Sequence, residues 1–383
     1  MAFKERFILE RAVFKSDRYL DVDAVRGMLI VIMALDHANY FVAQQHSLGE
    51  YWGGPYPTYS GSIAFLTRLI THLAAPGFFL LMGVGMILFA KSRQRRGWNR
   101  WSVVRHFWVR GAILVIIQLL IVNRAWELSP GGWGMQYYIG VLFALGGTMI
   151  LASMLLWLDS RLLIAITLLL FVGTELTNPD PNQWNLINQT PITLLFVYPG
   201  GDQALWSNYP ILPWLELVTS GLVFGSWLAD DSDRAYRRGL ILGGVFLLLF
   251  VLIRYLDGFG NIRPRAGASW IDFFNLVKYP PSMAFTFLTT GINLVLLWLF
   301  SRISMGKAGI LEPLAIFGRT PLFFYLLHLF LYAALGRLLA PNGSSILKMY
   351  PTWVLGLIIL FPLCIGYANV RQRRPLTHIL RYL

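Results

Sequence analysis

The chain has 383 residues, 56% of them hydrophobic and only 13% charged, with a mean hydropathy of +0.57 and a formal net charge of +13. A soluble domain carries nearer a quarter charged residues. Here the apolar residues fall in blocks of about 17–25, enough to cross roughly 30 Å of hydrocarbon. This argues against a soluble enzyme and predicts an all-α, polytopic membrane bundle. The lone Cys364 excludes an intrachain disulfide and a cysteine-rich metal centre.

Residues 1–21 open the chain with Lys4, Arg6, Arg11, Lys15 and Arg18 and show no apolar region ending in a cleavage site. Phe7-Ile8-Leu9 and Val13-Phe14 make this stretch a candidate interfacial helix. Ten spans are expected near 22–43, 69–90, 103–122, 137–157, 161–176, 211–229, 238–256, 281–300, 312–338 and 350–369. The piece 186–198 reads as re-entrant or interfacial. An even count puts both ends on one side. That side also holds Lys91 through Arg110, Arg234, Arg237, Arg238 and the tail residues Arg371, Arg373, Arg374 and Arg381. The positive-inside rule makes it cytoplasmic. The chain therefore reads as one transmembrane domain, 1–383, with a cytoplasmic N-terminal segment 1–21 and a cytoplasmic basic tail 370–383. The basic surplus is then a collar for anionic lipid, and a nucleic-acid partner is not expected.

The informative residues are the ionisable ones inside apolar spans, because charge in hydrocarbon is costly unless it faces the protein interior. In the first span Asp23, Arg26, Ile30, Met33 and His37 recur three or four residues apart and share one face. Arg26 and His37 are separated by about 16.5 Å of helical rise. Asp23 is spaced to pair with Arg26, and Asp36 points about 100° away from His37, toward another helix. The second span begins with Arg68 and His72 at i, i+4, then runs through Pro76, Gly83 and Gly85, small residues that permit close helix contact. Arg105, His106 and Arg110 enter the third. Gly131-Gly132-Trp133-Gly134 and Gly258-Phe259-Gly260 join no strand to a helix, so they read as turns and not phosphate loops. Pro280-Pro281-Ser282 suits a helix start. Glu216 and Glu312 lie near span entrances. The ninth span carries Arg319 early and Tyr325 and His328 late.

The topology thus predicts two polar layers. The outer one has Asp36, His37, Arg68, His72 and His328; the inner one has Asp23, Arg26, Arg105, His106, Arg110 and Arg319. Three imidazoles can hold zinc with an open position, but nothing in the spacing of His37, His72 and His328 selects a metal, and none is expected. Buried charges of this kind are candidates for chemistry within the membrane or, as the alternative, for transport of a sugar, lipid-linked or organic-anion substrate.

Four stretches give a resemblance: LDVDAVRGMLIVIMALDH at the first span, TRLITHLAAPGFFLLMG at the second, YPPS at 279–282 and FGRTPLFFYLLHLFL at the ninth. Together they resemble bacterial members of the heparan-alpha-glucosaminide N-acetyltransferase-like family, within the transmembrane acyltransferase superfamily. The resemblance implies a multi-pass protein of the bacterial cytoplasmic (inner) membrane. Its activity would be acyl transfer, usually of acetyl, from acyl-CoA (acetyl-CoA) on the cytoplasmic side to an amine or hydroxyl of a sugar or glycoconjugate on the other. Membrane lipids and a second copy of the chain are further partners it admits. By position, His37 matches the essential histidine of the RG-to-H pattern and Arg26 its arginine. The sugar-modifying branch places its histidine in the loop after the first span, where this chain has His46. Arg105, Arg110 and Arg319, with Arg26, are the expected contacts of the anionic CoA. His37 would act as a base or through an acyl-histidine, beside Asp36 and His328, with Arg68 or His72 stabilising the oxyanion.

Overall fold

A computed structural model describes residues 19–47, 49–129, 132–187 and 189–374. The expected interfacial helix before Tyr19 and the end of the basic tail lie outside the described residues. Helices account for most of what is described. Helix α1 (Leu20–Ala38) continues as a π-helical turn, Asn39–Ala43. There follow α2 (Ser62–Thr71), α3 (Ala74–Arg95), α4 (Arg100–Ile117) with a second π turn at Gln118–Val122, and α5 (Asn123–Glu127). Next come α6 (Val141–Ser153), α7 (Ser160–Thr177), the short α8 (Pro191–Phe196), α9 (Ile211–Asp230) and α10 (Ser232–Leu256). The last are α11 (Trp270–Phe274), α12 (Met283–Gly318), α13 (Pro321–Leu339) and α14 (Ile346–Gln372).

Local chemistry sets the ends of several helices. Asp159 accepts from the Arg161 and Leu162 N–H groups to start α7, Asp231 caps α10 and Ser282 caps α12, each side chain taking a backbone donor left over in the first turn. The centre of the bundle is α1 with α12, and α3 with α9. Both pairs approach at glycines. A Cβ on Gly27 would stand 1.8 Å from the Leu314 carbonyl oxygen, and one on Gly83 2.1 Å from that of Val218. Helices α7, α10 and α14 form the periphery, with Leu169, Leu248 and Ile358 turned outward, as lipid-facing positions require.

Among the described residues, nine helices are long and apolar enough to cross a membrane, against the ten expected. The difference is the stretch 137–157. It starts as strand β1 (Tyr137–Ile139), leaving α6 only 13 residues, about 20 Å of helix and short of the hydrocarbon thickness. Strand β1 pairs in parallel with β3 (Leu205–Ser207), which pairs antiparallel with β2 (Gly200–Gly201). The expected span 312–338 is also divided. α12 runs on to Gly318, with a break in helical geometry at Lys307, and α13 starts afresh at Pro321. Thr320 leaves helical geometry, with φ −127° and ψ 44°, since the ring of a following proline disfavours the α region.

The loops at the strand end interlock. The Trp52 N–H donates to the Tyr279 carbonyl at 2.8 Å, and the Lys278 and Tyr279 N–H groups both donate to the Glu50 carbonyl at 3.0 Å. Arg263 donates to the carbonyls of Gly49 and Gly54. This ties the 44–62 loop to the segment leading into α12, and brings Glu50 and Lys278 to the ends of α1 and α2.

Candidate active site

Asp36 sits on the stripe of α1 that faces α2. There its Oδ1 accepts from Arg68 Nη1 and, at 2.8 Å, from Thr71 Oγ1. Arg68 is almost wholly buried, and so is its second partner, Glu50, which takes a bidentate pair from Nε (2.7 Å) and Nη2. His72 Nε2 lies 2.9 Å from Glu50 Oε1; because a carboxylate only accepts, that ring nitrogen carries the proton. Arg68 Nη1 also donates to His46 Nε2 at 2.8 Å. Burial works to raise the Glu50 carboxyl, but the charges of Arg68 and His72 outweigh it and hold the group well below the usual carboxylate range. The buried Glu50 and half-buried Asp36 carboxylates thus flank one guanidinium, and the matching second cation is Lys278, which is 4% exposed. Burial first, then repulsion by Arg68, pushes the Lys278 ammonium down to about 8, against the pull of Asp36 and Glu50.

His37 projects from α1 toward α13. Its Nδ1 lies 2.6 Å from His328 Nε2, and His328 Nδ1 lies 3.0 Å from the Phe324 carbonyl. A carbonyl cannot donate, so the proton on His328 belongs on Nδ1 and its Nε2 is a lone pair. His37 must then donate from Nδ1, which leaves its own Nε2 as a lone pair. These tautomers follow from the hydrogen-bond network. The His37 Nε2 has no hydrogen-bond partner among the described residues, and the ring lines a cavity. Trp126 braces His37 edge-on at 5.5 Å between centroids.

The cavity, of about 530 Å³, reaches from this cluster down α1 to the other end of the bundle. Asp36, His37, Thr71, Tyr209, Lys278 and Tyr325 wall its upper part, and Met82, Gly85, Phe107 and Leu145 its apolar middle. Its lower part is strongly basic, with Arg26, Arg93, His106, Arg110, Arg319 and Arg371. Arg26 keeps the Asp23 pair at 2.8 Å and also donates to the Gly318 carbonyl at 3.2 Å. Arg319 faces Asp23 at 3.5 Å and Glu312 at 2.7 Å, and Arg371 donates to the Arg319 carbonyl at 2.7 Å. The Arg110 Nε has no hydrogen-bond partner among the described residues, and Arg26 and Arg371 are its charged neighbours. The lower end therefore carries a net positive field open to an anion.

The structure thus places each expected residue. Asp36 and His37 line the cavity, with His328 directly behind His37. His46, Arg68 and His72 pack behind Asp36 and do not line the cavity. The Arg68 donors are engaged by Asp36, Glu50 and His46. Three imidazoles do not converge, since His72 turns to Glu50; among the described residues no metal-ligating group of three forms. Arg26, Arg110 and Arg319 line the lower cavity, but Arg105 is exposed and outside it. The reason is helical phase: five residues turn Arg105 about 140° from Arg110, whereas His106 is one turn from it. Sequence reasoning missed Glu50, Lys278, Tyr209, Arg93 and Arg371 as members of these clusters. Only Lys278 had a signal, its place directly before Tyr279-Pro280-Pro281-Ser282.

The model of the heparan-alpha-glucosaminide N-acetyltransferase catalytic region matches residues 18–254, well over half of the chain and including Asp36, His37, His46, Glu50, Arg68 and His72. The chain belongs to this family. Heparan-alpha-glucosaminide N-acetyltransferase of Mus musculus is 29% identical over 140 residues, 37% of this chain and 19% of that protein. The Homo sapiens protein of the same name is 28% identical over 138 residues, 36% and 19% of the two chains. The matched stretch thus spans about a fifth of these relatives. Both are mammalian, which overturns the expected placement in a bacterial cytoplasmic (inner) membrane and the restriction to bacterial members. Family membership supports a membrane acyltransferase role.

Proposed function

We propose that the chain transfers an acyl group, specifically acetyl, from acyl-CoA bound at the arginine-rich end of the cavity to an amine or hydroxyl of a sugar or glycoconjugate at the His37 end. The observation that carries this reading is the relay from the Phe324 carbonyl through His328 to His37. It leaves an unprotonated Nε2 at the head of a cavity whose other end is cationic. The nucleotide phosphates of CoA pair with Arg110, Arg319 and their neighbours. The pantetheine arm follows the apolar middle, and the thioester reaches the upper wall. His37 Nε2 takes the proton from the acceptor N–H or O–H, and the freed lone pair attacks the thioester carbonyl. The Lys278 ammonium donates to the oxyanion that forms. The C–S bond then breaks and the thiolate recovers the proton from His37, so amide or ester and free thiol are the products. Basic residues gathered at the Arg110 end support a cytoplasmic face there. Arg26 of α1 and Arg371 of α14 line that same end, which supports both ends of the described chain lying on that side with the short α6 crossing between them. One transmembrane domain over the whole chain fits the continuous packing of α1 with α12 and α14.

Purified chain in lipid nanodiscs, given acetyl-CoA and amino sugars, tests the reading by mass spectrometry of the products. His37→Ala is expected to abolish transfer, and His328→Ala to lower kcat by about 10²–10⁴-fold by freeing the wrong tautomer. Full transfer by His37→Ala refutes the assignment. Passage of unmodified sugar into vesicles, with no product formed, identifies a transporter instead.

A further inference from the structure

A second cavity, of about 490 Å³, opens at the arginine-rich end of the bundle, where the start of α1, the start of α10 and the middle of α12 meet. It shares no lining residue with the cavity below His37, and the proposed chemistry uses none of it. Four charged side chains line it: Asp21 from α1, Asp233 and Arg237 from α10, and Arg302 from α12. None of the four forms an ion pair among the described residues. Arg302 Nη1 lies 3.9 Å from the Met305 sulfur. Asp21 is 4% exposed and Tyr236, beside it, is also buried. Asp21 Oδ2 and the Tyr236 hydroxyl nonetheless have no partner in hydrogen-bonding geometry among the described residues. A buried carboxylate oxygen that accepts from nothing is costly, so this one calls for a donor. The cavity lies on the outer side of the bundle. Leu240, Trp298 and Met305 complete its wall, Met305 is exposed, and the adjoining Ile241 and Leu299 turn outward.

We propose that this cavity binds the headgroup of a membrane phospholipid that carries a primary ammonium, of the phosphoethanolamine class. Two carboxylates and two guanidiniums balance one another, so the lining suits a zwitterion over an anion. Asp21 Oδ2 and the Tyr236 oxygen accept from the ammonium N–H groups, which a quaternary choline lacks. That need for a donor selects ethanolamine over choline. Arg237 and Arg302 pair with the phosphate oxygens. The acyl chains run along Leu240, Trp298 and Met305, with the indole at the headgroup level. Because the site has its own lining, it stands or falls apart from the acyl-transfer reading.

The test is native mass spectrometry of the full chain released from micelles that hold equal amounts of phosphatidylethanolamine, phosphatidylcholine and phosphatidylglycerol with the same acyl chains. The wild-type chain is expected to retain phosphatidylethanolamine over the other two. Asp21→Asn keeps the shape of the side chain and removes its charge. It is expected to lower phosphatidylethanolamine retention about tenfold, the loss of one charge-assisted hydrogen bond. It is also expected to raise phosphatidylglycerol retention, because two guanidiniums then face a single carboxylate. Arg302 is exposed, so Arg302→Gln keeps the test open should Asp21→Asn fail to fold; it is expected to weaken phosphatidylethanolamine without favouring phosphatidylglycerol. Glycerophosphoethanolamine, the same headgroup without acyl chains, is expected to leave lipid retention unchanged at equal concentration. Displacement by it identifies a site for a soluble phosphoester and refutes the lipid. Equal retention of the three lipids, a preference for either of the other two, or a phosphatidylethanolamine preference untouched by both variants overturns the proposal.

Discussion

Replacement of Lys278 by arginine tests whether a buried ammonium completes the upper site. Burial and Arg68 bring this lysine from 10.5 down to about 8, a shift worth about 3 kcal/mol at roughly 1.4 kcal/mol per unit. With that value about nine-tenths of the lysine is charged at pH 7 and about one-tenth at pH 9, so its ammonium is lost across this interval. An arginine stays charged throughout. The ratio of wild-type to Lys278→Arg kcat/KM, which cancels titration of the acceptor, is therefore expected to fall about tenfold per pH unit above pH 8 and to be flat below it. The same shift has a stability consequence with a definite sign. Between pH 8 and 10.5 the unfolded chain holds the proton and the folded chain does not, so stability rises with pH through that window. Lys278→Met, compared with wild type by thermal melting, is expected to remove that rise. A ratio independent of pH from 7 to 9.5 refutes both the depressed value and the role of the ammonium.

Two further outcomes follow from the same geometry. Gly85 lines the cavity and a Cβ there meets no heavy atom within 4 Å. Gly85→Leu is therefore expected to fold normally yet raise the acetyl-CoA KM tenfold or more by filling the path of the pantetheine arm, about 1.4 kcal/mol or greater; an unchanged KM places the donor elsewhere. Glu50→Gln leaves Arg68 short of one buried countercharge and is expected to cost on the order of 3 kcal/mol, read as a lowered melting midpoint. Because Glu50 titrates below the ordinary carboxylate range, its contribution is complete above that range and is lost as pH falls toward acid. The gap between wild type and Glu50→Gln must therefore narrow at low pH. A gap that stays constant refutes the ion-pair account.

How much of this was legible in the sequence depends on the distance over which each contact forms. The α1 stripe was legible because helical periodicity alone puts Asp23, Arg26 and His37 on one face. Asp36 was expected to serve another helix, and it reaches Arg68 and Thr71 of α2. The exposure of Arg105 was also in the sequence, since the phase between 105 and 110 decides it. Glu50 and Lys278 were not legible. They meet through backbone hydrogen bonds between loops more than two hundred residues apart, and neither loop has a period that would announce them. The short α6 was hidden for a related reason: the apolar run at 137–157 begins as a strand only because β3, far along the chain, offers it a partner.

The RG and FGR motifs gain a shared physical meaning from their contact. A Cβ on Gly27 would strike the Leu314 carbonyl oxygen, and one on Gly318 would stand 1.8 Å from that of Asp23. The two backbones therefore touch, and Arg26 clasps the joint by donating to the Gly318 carbonyl. Touching backbones leave little freedom to slide, so the joint fixes the relative depth of the chain segments that leave it. His37 and His328 each lie ten residues beyond their glycine, and they meet at 2.6 Å. A shift of one residue along either helix, about 1.5 Å of rise with a 100° turn, would break that hydrogen bond and release the His37 tautomer. The glycines near the arginine-rich end thus set the protonation geometry at the opposite end. Arg26 belongs to this joint as well as to the cavity wall, so it acts on the site through position as much as through charge.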